Sequence, residues 1–261
     1  MCHPEVPAGQ ATPTILREEL SIPLAGGEAM PALLARPEGG EGPGILIVHD
    51  IFGRSPFYEN LAARLASAGF VALLPDYFFR QGPLAERKVE VAFQRRAKLD
   101  EVGALQDLSV ALDVLGQQTG LRGDCLGTVG FCMGGTLVLD LAALRDDLAT
   151  VCFYGFPAPE AHGSARSAPA PLDEVDRMQG PILGFWGDQD HGVDMADVGR
   201  LASELRKRGV SFEHTIYPGL GHGFMAQSNL DVEHPAYQAA CEAWTRSLGF
   251  FRRHLAVPTL A

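Results

Sequence analysis

The chain has 261 residues, of which 46% are hydrophobic and 20% charged, a composition typical of a globular protein with a sizeable core. Its formal net charge of -11 at pH 7 opposes the phosphates of nucleic acids, so we expect no nucleic-acid partner. No stretch of about 18 residues is continuously apolar, which predicts no membrane partner. We expect one domain over residues 1–261, with its core at about 15–255.

The N-terminal sequence and the cysteine spacing bear on where in the cell the protein is located. The N-terminus has no basic start followed by an apolar run, so it does not resemble a signal peptide. The five cysteines are widely spaced and form neither a CxxC pair nor a disulfide framework. These features predict reduced thiols and a cytoplasmic location.

The first elements in chain order are strands followed by a helix. Residues 14–37 predict two short strands around a glycine turn, and the apolar run Ile45 to His49 predicts a buried strand that enters a loop. A helix follows, with Ser55 as its N-cap, Pro56 as its first residue and Gly69 at its end.

Strands and helices alternate through the rest of the chain. The predicted strands are FVALLPDYF, GTVGF, ATVCFYG, PILGFWG and SFEHTIYPG. The predicted helices carry apolar residues at helical spacing, namely Val102, Leu105, Leu108, Leu112 and Leu115, then LVLDLAAL, then Met195, Val198, Leu201 and Leu205, and finally Tyr237, Cys241, Trp244, Leu248 and Phe251. This alternation predicts the α/β class, with a mostly parallel sheet covered by helices on both faces. Residues 156–179 are rich in Pro, Ala, Ser and charged residues, which predicts an irregular segment that passes over the sheet.

The segment Gly130-Phe131-Cys132-Met133-Gly134 has the form G-x-C-x-G, the cysteine version of a nucleophile elbow. Glycine is needed on either side because the strained strand-to-helix turn leaves no room for side chains. The sulfur then lies at a helix N-terminus, where the dipole favours a thiolate. The alternatives are a buried structural cysteine and a phosphate loop, although the G-x-G-x-x-G spacing is missing. The remaining cysteines lack this context and are expected to be inert, namely Cys2, Cys125, Cys152 and Cys241.

A thiol nucleophile needs a base and an acid, in the chain order nucleophile, acid, histidine. His222 lies between two glycines after the last predicted strand, and its alternative role is that of a surface loop histidine. The segment GDQDH after the preceding strand offers Asp188 and Asp190 as the acid, with Asp194 further on. Position alone leaves the choice open, and the other aspartate is expected to cap a turn or a helix. Trp186 and His191 are expected to pack rather than to catalyse.

Several segments together resemble the dienelactone hydrolase (carboxymethylenebutenolidase) family, over roughly residues 15 to 255. They are HDIFG, PDYFFRQGP, GFCMGG, GDQDH and GHGF. The resemblance implies an α/β-hydrolase fold and a carboxylic ester hydrolase that cleaves a small-molecule ester or lactone through a thioester acyl-enzyme. It also implies a catalytic triad of Cys132, Asp190 and His222, with no metal and no organic cofactor. The elbow rule adds an oxyanion hole formed by the backbone N–H groups of Met133 and Ile51.

The resemblance implies three further positions near the substrate. Asp50 occupies the place of a family glutamate that contacts the resting thiol, and its alternative role is a loop-capping carboxylate. Arg80 corresponds to one of two family arginines that hold the substrate carboxylate, and its alternative is a solvated loop residue. Ala226 stands in the place of the second arginine, so the substrate stays open. A broad esterase or thioesterase is an alternative function, and a non-catalytic binding or sensor protein with a reactive cysteine is another. The sequence leaves the oligomeric state unknown.

Overall fold

The computed structural model describes residues 15–119, 126–159, 166–229 and 232–255. Its strands are β1 (Ile15–Pro23), β2 (Ala29–Pro37), β3 (Gly44–Val48), β4 (Val71–Pro75), β5 (Leu126–Phe131), β6 (Leu148–Phe153), β7 (Ile182–Gly187) and β8 (Phe212–Tyr217). Its α-helices are α1 (Pro56–Ser67), α2 (Val89–Arg96), α3 (Glu101–Gln118), α4 (Met133–Leu144), α5 (Met195–Lys207) and α6 (Pro235–His254). Short 3-10 turns cover Phe79–Gln81, Pro171–Asp173, Val175–Arg177 and Phe224–Asn229.

The strands form one sheet in the order β1-β2-β4-β3-β5-β6-β7-β8. The pairs β1–β2 and β2–β4 are antiparallel, whereas the pairs from β4 to β8 are parallel. Every residue of β3 to β7 is buried, as their apolar sequences predict for strands covered on two sides. The predicted α/β class with a mostly parallel sheet is therefore confirmed.

Helices cover both faces of this sheet. A Cβ atom on Gly44 would lie 2.9 Å from the side chain of Leu115 in α3. A Cβ atom on Gly127 would lie 2.9 Å from Phe251 in α6 and 3.0 Å from Ile45. Because Gly44 and Ile45 are consecutive residues of β3, their side-chain directions point to opposite faces. Helices α3 and α6 therefore pack on opposite sides of the sheet.

The local predictions hold at most element boundaries. The glycine turn between β1 and β2 is made by Gly26 and Gly27, with φ angles of 88° and 87°. Ser55 is the N-cap residue of α1, but its side chain makes no capping hydrogen bond. Its extended backbone, with ψ of 166°, is the conformation that the following Pro56 imposes.

The buried face of α6 differs from the predicted spacing. The helix buries Ala236, Ala240, Ala243, Ser247, Phe250 and Phe251, whereas Cys241 is exposed. Small alanines let the helix backbone approach the sheet, while Trp244 lies at the flank under Arg64, whose Cζ is 4.3 Å from the ring centroid. In α3, similarly, Val102 is exposed although Leu105 to Leu115 of its predicted face are buried.

The excursion predicted for residues 156–179 is irregular in its described parts, 156–159 and 166–179, which hold two 3-10 turns and neither a strand nor an α-helix. Across the described ranges, no helix combines the length and the apolar character that crossing a membrane requires.

Candidate active site

Cys132 lies at the turn between β5 and α4, with a φ of 57° and a ψ of -122°. This backbone conformation costs a non-glycine residue roughly 1–3 kcal/mol. A Cβ atom on Gly130 would lie 2.0 Å from the carbonyl oxygen of Gly134, and one on Gly134 would lie 2.2 Å from that of Val48. Both distances are too short for any side chain, so the two glycines are required by the close approach that the elbow motif predicts.

The three predicted triad residues meet beyond the carboxyl ends of β5, β7 and β8. Nδ1 of His222, after β8, lies 2.7 Å from Oδ2 of Asp190, after β7. Because a carboxylate accepts hydrogen bonds, Nδ1 carries the proton. Oδ1 of Asp190 accepts from the N–H of Gly192 at 2.9 Å, which fixes the carboxylate. The His222 ring also hydrogen-bonds with Cys132, so the structure brings all three side chains together.

The electrostatics of His222 favour its charged form. Burial opposes the imidazolium, but the interactions with Cys132 and Asp190 outweigh it and raise the pKa of His222 to about 10. An imidazolium held between these two side chains would stabilise a thiolate at Cys132.

The two aspartates of GDQDH have different partners. Asp188 is exposed, and its Oδ1 accepts from the N–H of Gly219 at 2.7 Å, which joins the loops after β7 and β8. Asp194 caps α5 by accepting from the N–H of Ala196 at 2.8 Å. Only Asp190 of the three contacts His222 in the described chain. Asp194 has the helix-capping role, whereas Asp188 joins two loops instead of capping a turn or a helix.

Trp186 and His191, which were both expected to pack in the interior, differ in burial. Trp186 is fully buried and donates from Nε1 to the carbonyl of Gly155 at 2.8 Å, as expected of a packing residue. His191, by contrast, is exposed. The packing prediction for His191 is wrong because the tight turn after Asp190 directs it away from the sheet.

Aromatic rings that the sequence analysis did not single out surround His222. The ring of Tyr154 meets it edge-on with centroids 4.9 Å apart, and that of Phe156 stacks on it at 5.6 Å. Tyr154 has a φ of 40°, a second strained non-glycine conformation near the site. No local pattern marks these residues, since they reach His222 only because β6 lies between β5 and β7.

Met133 directly follows Cys132 and opens α4, and Ile51 lies in the β3 loop, which we define as residues 49–53. This loop approaches the elbow, because a Cβ atom on Gly134 would lie 2.4 Å from the carbonyl oxygen of His49. In the described chain neither the Met133 N–H nor the Ile51 N–H donates a hydrogen bond to another protein group. Arg95, also not singled out from sequence, donates from Nη2 to the carbonyl of Ile51 at 2.8 Å and so fixes this loop.

Asp50 is fully buried and is engaged within the same loop. Its Oδ1 accepts from the N–H of Phe52 at 2.8 Å, and its own N–H donates to the hydroxyl of Tyr58 at 3.1 Å. These contacts fit the loop-capping alternative. The predicted contact with the thiol stays a prediction.

Arg80 makes ion pairs that occupy its guanidinium group. Nη1 lies 2.5 Å from Oδ2 of Asp107 and Nε lies 2.8 Å from Oε2 of Glu28. The predicted contact with a substrate carboxylate would compete with two protein carboxylates, so the geometry favours a structural role. Ala226 is buried in the 3-10 turn after His222 and offers no charge.

Two of the remaining thiols, Cys152 and Cys241, lie in the described residues. Burial raises the pKa of Cys152 to about 12, which suits an inert thiol, and Cys241 is exposed. Cys2 and Cys125 lie outside the described residues. No group of three or more His, Cys, Asp or Glu side chains in the described part of the chain could hold a metal ion.

Known proteins with a similar sequence and fold place this geometry in a family. The model of the "Dienelactone hydrolase family" matches residues 30–255. The chain is 34% identical over 259 residues to a carboxymethylenebutenolidase of Rhodococcus opacus, with 98% of each chain covered. A crystal structure from Klebsiella pneumoniae, named as a candidate dienelactone hydrolase, has a TM-score of 0.79 and 30% identity, and covers 91% of this chain and 98% of its own. The chain therefore belongs to the dienelactone hydrolase family, and it is a carboxylic ester hydrolase with the α/β-hydrolase fold.

Proposed function

We propose that this hydrolase cleaves esters or lactones with Cys132 as nucleophile, His222 as acid and base, and Asp190 as the group that orients His222. The observation that carries the proposal is the chain of contacts from Asp190 through His222 to Cys132, at an elbow whose cysteine has a φ of 57°. At this elbow a strained backbone, a histidine held by a carboxylate and a thiol lie side by side, as nucleophilic catalysis requires.

Acylation begins from the ion pair. The Cys132 thiolate attacks the carbonyl carbon, and the negative charge that develops on the carbonyl oxygen is stabilised by the N–H groups of Ile51 and Met133. When the carbon–oxygen ester bond breaks, the His222 imidazolium gives its proton to the leaving oxygen. The products of this step are a thioester on Cys132, a neutral His222 and an alcohol, which in a lactone stays attached to the acyl group.

Deacylation reverses these roles. Neutral His222 takes a proton from water, and the resulting hydroxide attacks the thioester carbonyl. The sulfur leaves as a thiolate, so the ion pair with His222 forms again. Asp190 holds the ring in one tautomer through both halves of the reaction.

The substrate class follows from the charges near the site. The Rhodococcus opacus relative is named for carboxymethylenebutenolide, a lactone that bears a carboxyl group. In this chain Arg80 is paired with Glu28 and Asp107, and Ala226 supplies no second guanidinium. A charge-assisted hydrogen bond contributes roughly 1.5–3 kcal/mol. The affinity for an anionic lactone should therefore be about tenfold or more lower than in an enzyme that has the second arginine. We therefore propose weak activity on carboxylate-bearing lactones, with neutral short-chain esters competing well.

The test is a hydrolysis panel of lactones, alkyl esters and thioesters, with Cys132→Ala as the matched variant. An activated ester should give a burst equal to the enzyme concentration, and the variant should give none. If Cys132→Ala kept full turnover, the nucleophile would be assigned wrongly. If thioesters were turned over far faster than oxygen esters, the thioesterase alternative would replace the proposal. The predicted cytoplasmic location stays a prediction.

A further inference from the structure

His49 is a fully buried histidine directly after β3, and the mechanism above does not use it. Its ring stacks on that of Tyr77, with centroids 4.2 Å apart and an interplanar angle of 14°. The hydroxyl of Tyr77 donates to the carbonyl of His49 at 2.7 Å. Ring and backbone are thus both held by the loop after β4, which leaves the imidazole one orientation.

The imidazole contacts the peptide that carries a proposed oxyanion donor. Nδ1 of His49 lies 2.9 Å from the carbonyl oxygen of Asp50, and because a carbonyl only accepts, Nδ1 is the donor. The Asp50 carbonyl and the Ile51 N–H are the two ends of one planar peptide, so fixing the oxygen fixes the direction of the N–H. The same carbonyl accepts from the N–H of Gly53 at 3.1 Å, which gives the peptide plane a second support.

A carboxylate flanks the other ring nitrogen. Nε2 of His49 lies 3.7 Å from Oδ1 of Asp76, and this oxygen accepts from the N–H of Phe78 at 3.2 Å. Burial would raise the pKa of Asp76, but His49 and the Phe78 N–H keep that pKa below its ordinary value. The Asp76 carboxylate therefore flanks the Nε2 edge at 3.7 Å without a hydrogen bond, while the Nδ1 edge contacts the Asp50 carbonyl.

We propose that His49 is a positioning residue, which holds the Asp50–Ile51 peptide so that the Ile51 N–H points at the oxyanion formed on the substrate. The inference rests on the proposed function, because it requires acyl transfer at Cys132. Its effect should appear in the rate of the chemical step rather than in substrate binding, since the oxyanion exists only near the transition state.

Three substitutions of His49 distinguish the effect of its Nδ1–H donor from the effect of its aromatic ring. His49→Phe keeps the stacking on Tyr77 and removes the donor. His49→Asn places an amide N–H where Nδ1 stands, whereas His49→Gln places it near Nε2. We expect Phe and Gln to lower kcat roughly 10- to 100-fold with KM nearly unchanged, and Asn to restore most of the loss. If His49→Phe folds poorly, the comparison of His49→Asn with His49→Gln still tests the inference, because both side chains are polar amides that differ in the position of the N–H.

Alkylation of Cys132 by iodoacetamide supplies the control, because displacement at its saturated carbon creates no carbonyl oxyanion. The alkylation rate should be the same in all three variants and in the wild type. Unchanged kcat in His49→Gln would overturn the inference, as would parallel loss of kcat and alkylation, or an Asn variant as slow as Gln. If Cys132→Ala itself kept turnover, the proposed function would fail and take this inference with it. An inactive Cys132→Ala beside a fully active His49→Gln would overturn this inference alone.

Discussion

Two buried clusters of charge can be compared in this molecule. The catalytic cluster, named for its proposed role, consists of Cys132, Asp190 and His222. The arginine cluster consists of Arg166, Glu101 and Asp140, in which Nε of Arg166 lies 2.9 Å from Glu101 and Nη2 lies 2.5 Å from Asp140. Both lie between separate elements, and both contain a cation between anionic groups.

The clusters differ in their surroundings. Around the catalytic cluster the backbone is strained at Cys132 and Tyr154, and two nearby N–H groups have no protein acceptor in the described chain. The arginine cluster lies instead where the segment 166–179 packs against α3 and α4, and the hydroxyl of Ser167 accepts from the N–H of Glu101 at 2.9 Å. Nη1 of Arg166 is also a buried donor without a hydrogen-bond partner in the described chain. Neither buried charge nor an unused donor therefore indicates catalysis by itself, whereas a strained backbone at a nucleophile does.

Loss of the base should have the largest effect that distinguishes the clusters. His222→Ala should lower kcat/KM by several orders of magnitude, because it removes the imidazole that hydrogen-bonds with Cys132. Asp190→Asn should cost as much or less, since the imidazole stays but loses its orientation. Steady-state kinetics would check both, with Asp188→Asn as the matched control. A larger loss in Asp188→Asn than in Asp190→Asn would move the acid to Asp188.

Removing the cation of the arginine cluster should change stability instead of catalysis. Arg166→Leu leaves Glu101 and Asp140 without their partner and should lower the free energy of unfolding by about 3 kcal/mol. Arg177→Leu is the control, because its ion pair with Glu174 is largely exposed and should contribute roughly 0–1 kcal/mol. Urea denaturation measures both. Equal losses in the two variants would contradict the structural role of Arg166.

The charge on Cys132 should be detectable through His222. Alkylation with iodoacetamide removes the negative sulfur, so the pKa of His222 should fall below its value of about 10. The hydrogen bond from His222 to Asp190 is retained and should limit the fall. A pH titration of the His222 ring protons by NMR would follow the change, with His222→Gln to assign the signal. An unchanged pKa would mean that the resting sulfur is a neutral thiol.

A further prediction concerns the pH dependence of stability. Burial outweighs the attraction of Arg166 and raises the pKa of Asp140 from 3.8 to about 7. The folded state therefore holds a proton that the unfolded state loses, and the folded state becomes less stable as the pH rises from about 4 through 7. Asp140→Asn removes this dependence, so the wild type should lose stability relative to the variant between pH 5 and pH 8. Urea midpoints at four pH values check this, and a constant difference would contradict it.

Local patterns in the sequence determined most of the fold and the central part of the site. Alternating apolar runs and helical spacings predicted the elements, because buried strands and amphipathic helices need those residues. The two glycines around Cys132 predicted the elbow, since only glycine fits a backbone approach of about 2 Å to a would-be Cβ. His222 followed from its order in the chain and its glycine neighbours.

Tertiary structure determines which of these side chains meet. Asp188 and Asp190 are indistinguishable by position, and only the family resemblance implied Asp190; in the structure Asp190 is the one of the two that contacts His222, 32 residues away. Arg80 finds Asp107 across 27 residues, which no local pattern signals. His49 acts on a peptide next to it, yet its ring direction depends on Tyr77 and Asp76 from the loop after β4. Secondary structure follows from spacing along the chain, whereas partners of polar side chains depend on which strand ends lie side by side.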